Sequence, residues 1–205
     1  MTDQLCDEVR VRGEVFDLVD TDGEWAAFDP EAHGLCTRWI GTHCWEGYRC
    51  GYRVDDRLLL DAVLVAWSRT YARGDGPLLF GRAARRVRDH DVVWACYDEL
   101  AHPVELTGGL LVGRGRSSFG LTPAAFAYLG VVELRFDHGR LLSCTDVTEE
   151  MRRSREDYDR RPRLPRFDGD WDDKERAVAW IAEARRQEAS FARFFDARRR
   201  VAGRR

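Results

Sequence analysis

At 205 residues, 44% of them hydrophobic, the chain is long enough to bury one sizeable core with an appendage. Its basic residues are arginines apart from Lys174, whose setting WDDKERAV offers no phosphate-cradling glycines, so Schiff-base and P-loop chemistry find no support. Residues 1–150 carry 16 basic and 25 acidic groups, net −9, and residues 176–205 carry 9 and 3, net +6, a body that disfavours a broad nucleic-acid surface.

The opening MTDQLCDEVRVRGE is acidic and has no long apolar run, which predicts neither secretory signal nor membrane helix and a cytoplasmic location. In that setting the six cysteines, at 6, 36, 44, 50, 96 and 144, are expected as free thiols. RVRGEVFDLVD (10–20) reads as a first strand or two. From Tyr48 the even positions Tyr48, Cys50, Tyr52 and Val54 alternate with Arg49, Gly51, Arg53 and Asp55, the period of a half-buried strand. A polar turn at Asp55–Arg57 and the run LLLDAVLVAW make residues 46–67 a hairpin.

PLLFG (77–81) suits a short strand or turn, RAARRVRDHD (82–91) an exposed charged segment, and VVWACY (92–97) a strand. ELAHPVELTGGLLVG (99–113) holds another apolar run, and SSFGLTPAAFAYL (117–129) a loop with a short helix from Thr122 and Pro123. VVELRFDHGRLLSC repeats the hairpin layout, with Val132, Leu134 and Phe136 on one face and Glu133 and Arg135 on the other.

After Asp146 the composition turns polar. TEEMRRSREDYDRR (148–161) is helix-capable, and PRLPRFDGDWDD (162–173) reads as a linker. A last helix starts near Asp172, which has the capping-box spacing to Glu175, and presents Ala177, Val178, Ile181, Ala184, Phe191, Phe194 and Phe195 as a stripe. The fold class that follows is α+β: mainly antiparallel β-sheet or a partly closed barrel built from hairpins, with a C-terminal amphipathic helix. The segments are a β-rich body (1–150), a polar segment and linker (151–171) and the helix (172–202).

CTRWIGTHCWEGYRC gathers Cys36, His43, Cys44 and Cys50, but it lacks the paired knuckles, two to four residues apart, of structural zinc sites. No metal or cofactor is expected. Cys44 is the first suspect for a nucleophile, provided the fold brings in His102 or His138, because His43 as its strand neighbour points the other way. The structural reading, a buried thiol, weighs more heavily. TGGLLVGRGRSS (107–118) lacks the lysine of a P-loop, so Gly108 and Gly109 read first as strand glycines and only secondarily, with Trp45, as the lining of a ligand pocket. Trp39, Trp45, Trp67 and Trp94 fall in the sheet-forming body and read first as core.

CWEGY (44–48), YRVDDRLLL, PVELTGGLLVG (103–113) and VVELRFDHGRLL (131–142) together resemble a family of small uncharacterised bacterial proteins, over about residues 10–150. The resemblance implies an immunity or defence-accessory role beside a toxin, by association. The leading expectation is therefore a non-enzymatic protein-binding domain whose acidic body meets a basic partner and whose tail docks through Phe191, Phe194, Phe195 and Arg198. The alternative is an enzyme or small-ligand-binding protein with a pocket beside Cys44 and the Thr107–Gly113 strand. Nucleic acid is expected, if at all, only at the C-terminal arginines, and no membrane contact is expected.

Overall fold

Hairpins succeed one another along the chain because apolar alternation is broken repeatedly by polar or glycine-bearing turns. The computed structural model describes residues 5–25, 28–38, 40, 44, 46–72, 76–89, 92–116, 125–160, 176 and 179. Its strands are β1 (Glu8–Val11), β2 (Glu14–Trp25), β3 (Tyr48–Val54), β4 (Leu58–Ala66), β5 (Arg85–Asp89), β6 (Val92–Tyr97), β7 (His102–Pro103), β8 (Leu106–Arg116), β9 (Tyr128–Asp137) and β10 (Arg140–Asp146). Two helices, α1 (Arg69–Ala72) and α2 (Thr148–Arg160), and two 3-10 turns, Glu31–His33 and Ala125–Ala127, complete it.

All ten strands join one sheet in the order β10-β9-β8-β2-β1-β3-β4-β6-β5, with β7 added against β4. Among the described residues every ladder is antiparallel except that of β1 with β3. Of the two architectures expected, the structure is the open sheet: β10 and β5 form its ends, and among the described residues no ladder closes it into a barrel. It is nevertheless drawn together at one corner, where Arg57 in the β3–β4 turn bridges Arg140 at the start of β10. There the Leu58 N–H donates to the Gly139 carbonyl (2.8 Å) and the Gly139 N–H to the Leu106 carbonyl (2.9 Å).

The alternation of β3 decides which face is buried. Cys50, Tyr52 and Val54 enter the main core with Val9, Leu58, Val63, Tyr97, Leu110 and Leu134, contributed by strands from both halves of the sheet. Each fully buried aliphatic side chain here contributes about 1.5–3 kcal/mol relative to exposure. Cys50, 1% exposed, behaves as the small hydrophobe its parity indicates.

A smaller cluster, Leu111, Ala125, Tyr128, Val131, Val147 and Met151, lies under α2. The Asp146 carboxylate accepts the Thr148 N–H (2.8 Å) at the start of α2, and Glu149 and Glu150 in its first turn suit the helix dipole. Arg155 then holds the helix down, donating to the carbonyls of Phe126 and Tyr128.

Glu133, on the strand face opposite Leu134 and Phe136, is nevertheless buried, being 3% exposed. Arg135 pairs with it at 2.7 Å and reaches Asp22 on β2 at 2.8 Å. In register, Gly109 stands directly between Asp22 and Arg135, so the missing side chain leaves the path by which the guanidinium crosses β8. That is a structural reason for the second glycine of TGGLL.

Of the last helix expected over 172–202, Arg176 and Ala179 are described, both helical. The linker, the start of the helix expected at Thr122 and Pro123, and Phe191, Phe194, Phe195 and Arg198 lie outside the described residues.

Candidate functional site

The turn in PLLFG is where local sequence and local geometry disagree most. Leu79 and Arg82 exchange N–H to carbonyl hydrogen bonds (3.0 and 2.9 Å), leaving Phe80 and Gly81 as a two-residue loop with φ of 47° and 80°. Positive φ at both central positions marks a type I′ turn, which favours Asn, Asp or Gly at its first position. A phenylalanine there costs about 1–2 kcal/mol. Leu79, 1% exposed, anchors the turn, while Leu78 and Phe80 are 63% and 37% exposed.

A second strained segment faces it. Glu99 and Ala101 also have positive φ, 53° and 47°, in the connection that delivers His102. His102 pairs with Leu60 of β4, and its imidazole stacks on Phe80 with centroids 3.8 Å apart and planes 8° from parallel. From a third direction, Asp29 accepts the Glu31 N–H (3.0 Å) and initiates the turn that carries His33. His33 stacks on Phe28 (5.1 Å, 7°) and meets Phe80 edge-on at 5.0 Å.

These groups wall a cleft of about 310 Å³, with buried Tyr52 and Leu60 at its base and Asp29, Pro103, Val104 and Glu105 completing its lining. Glu105 is 70% exposed and lies 3.9 Å from both Arg57 and His138, beyond hydrogen-bonding distance. Burial raises the Tyr52 phenol above its ordinary range, so it stays protonated at the cleft base. The chemistry on offer is flat apolar contact with peripheral negative charge. A smaller depression, about 70 Å³, lies beside β1, β3 and β4 and contains the Arg49–Glu8 pair at 2.6 Å.

The structure separates the residues that sequence reasoning grouped. Cys44 is buried, its thiol donates to the Tyr48 carbonyl (3.5 Å), and burial raises its pKa, a setting that disfavours thiolate. His102 is in the cleft. His138 occupies the first position of the β9–β10 turn, 82% exposed, with φ of 45°. Gly108 and Gly109 are paired within the sheet between β2 and β9. Trp45 and His43 lie outside the described residues, as does Trp39, whereas Trp94 is buried and Trp67 half-buried.

None of the six cysteines is in a disulfide. Among the described residues no three His, Cys, Asp or Glu side chains converge to hold a metal ion. No described helix is long and apolar enough to cross a membrane.

Sequence reasoning missed Phe28, His33 and Phe80 because they come from two separate connections, β2–β3 for Phe28 and His33 and α1–β5 for Phe80, that only the folded sheet juxtaposes. One local signal was present: a bulky aromatic directly before glycine in a two-residue turn, where turn chemistry calls for a small polar residue. No family model, curated protein or solved structure matches the chain.

Proposed function

We propose that the chain is a non-enzymatic protein-binding domain that engages its partner through the cleft at Phe80 and His102. The observation that carries this reading is Phe80 itself, half-exposed on a turn whose backbone disfavours it and stacked on a histidine delivered by a second strained connection. Strain of this kind persists where the surrounding fold holds it, and it gathers at ligand clamps. Of the five exposed large hydrophobics among the described residues, two, Leu78 and Phe80, sit together at this hairpin, an aromatic anchor beside an aliphatic neighbour.

The net −9 of residues 1–150 supports a basic partner, because complementary charge accelerates encounter. An immunity or defence-accessory role in the cytoplasm is the setting we propose, one in which six cysteines outside any disulfide stay reduced. A Cys44-dependent enzyme is the weaker reading, since that thiol is buried and hydrogen-bonded to a backbone carbonyl.

The test is capture from host lysate with full-length wild type and with Phe80→Ala and Glu105→Gln, read by mass spectrometry at low and moderate salt. A single stoichiometric protein, retained by wild type and depleted by both variants, is the expected result. Equal retention by all three baits, or no partner for a folded wild-type bait, overturns the reading.

A further inference from the structure

We infer that the group received by this cleft is a guanidinium, supplied by an arginine side chain of the partner. The inference rests on the protein-binding reading above and names the chemistry of its contact.

The walls are flat. Phe28 with His33 and Phe80 with His102 form two stacked pairs, each within 8° of parallel. Planar surfaces of this kind suit a planar group stacked face-on. The periphery is acidic: Asp29 commits one oxygen to the Glu31 N–H, and Glu105 receives no hydrogen bond from a described residue. A guanidinium satisfies both features, because it stacks on aromatic faces, is weakly hydrated and presents paired donors to a carboxylate.

Competing ligands fit less well. An ammonium is compact and strongly hydrated, so it gains less from flat walls. A nucleotide would gain from stacking, but its phosphates would meet the carboxylates and a body of net −9. A volume of about 310 Å³ matches one long side chain rather than a helix or strand. The chain already uses the same contact internally, with Arg86 over Trp67 at 5.6 Å and Arg114 over Phe16 at 5.5 Å.

The experiment is an NMR titration of the full-length protein with acetyl-Gly-Arg-Gly-amide, with its lysine and citrulline counterparts, and with adenosine monophosphate. Saturable shifts of the His33 and His102 ring protons are expected for the arginine peptide. Citrulline, which keeps the shape and loses the charge, should bind at least about tenfold more weakly, and Glu105→Gln should weaken the arginine peptide several-fold. Equal binding of citrulline, stronger binding of the lysine peptide or the nucleotide, or no shift at these rings overturns the inference.

The two proposals fail separately. A partner lost on Phe80→Ala, with a silent arginine titration, leaves the protein-binding reading and removes the guanidinium. Arginine-specific ring shifts, with no partner captured, keep the guanidinium site and remove the protein-binding reading.

Discussion

Phe80 is the residue whose cost and use can be separated experimentally. Asn accommodates the positive φ of a type I′ turn, so Phe80→Asn relieves about 1–2 kcal/mol of backbone strain while forfeiting about 0.5–1.5 kcal/mol of stacking on His102 and the burial of the covered part of the ring. The expected outcome is a melting temperature lowered less than by Phe80→Ala, which forfeits the same contacts and keeps the strain, together with loss of partner binding. Equal losses for the two variants would show that the turn strain contributes nothing.

Asp7 offers a second residue-scale test, because burial raises its carboxyl from 3.8 to about 6, against the opposing effect of the Cys50 N–H it accepts at 2.8 Å. With the folded pKa above the unfolded one, the native state holds a proton between about pH 4 and 6 that the unfolded chain releases. Stability from this group is therefore fully present below the unfolded pKa and lost as pH rises through the folded one. Asp7→Asn keeps an acceptor for Cys50 and removes the buried charge. It should stabilise by about 1–3 kcal/mol at pH 7.5 and give no such gain near pH 3.5, as read by denaturant melts at both pH values.

Among elements, three of the described hairpin turns follow one local rule and serve different tertiary ends. Arg12–Gly13, Phe80–Gly81 and His138–Gly139 all have positive φ at both positions. A Cβ on Gly81 would meet nothing within 4 Å, whereas one on Gly139 would fall 2.3 Å from the Val104 carbonyl oxygen. Gly81→Ala should thus cost only the conformational term, about 1 kcal/mol. Gly139→Ala should cost roughly 3 kcal/mol or more, because it also drives the β9–β10 turn off the Val104 carbonyl between β7 and β8, at the corner where the Gly139 carbonyl accepts the Leu58 N–H. Urea titration of the two variants reads the difference, and equal losses would show that the corner contact contributes nothing.

At the scale of the whole molecule, charge governs encounter more than affinity. The acidic body predicts that the association rate with a basic partner falls several-fold between about 50 and about 300 mM salt, while dissociation changes less. Stopped-flow or surface-binding kinetics would show this, and a salt-independent association rate would remove electrostatics from the recognition. The sheet's shape is also a property of this scale, since the core draws on strands from both of its halves.

The local patterns determined the elements. Parity in YRCGYRV placed Cys50, Tyr52 and Val54 inside, polar turns marked both long hairpins, and composition after Asp146 indicated the helix that begins at Thr148. These follow from a period of two and from turn chemistry, which act between neighbours along the chain. Strand order, the parallel pairing of β1 with β3, the burial of Glu133 beside Arg135, and the meeting of Phe28, His33, Phe80 and His102 were decided only by the tertiary structure. Each of these depends on distant segments lying side by side, and no periodicity within a single segment encodes its neighbour across the sheet.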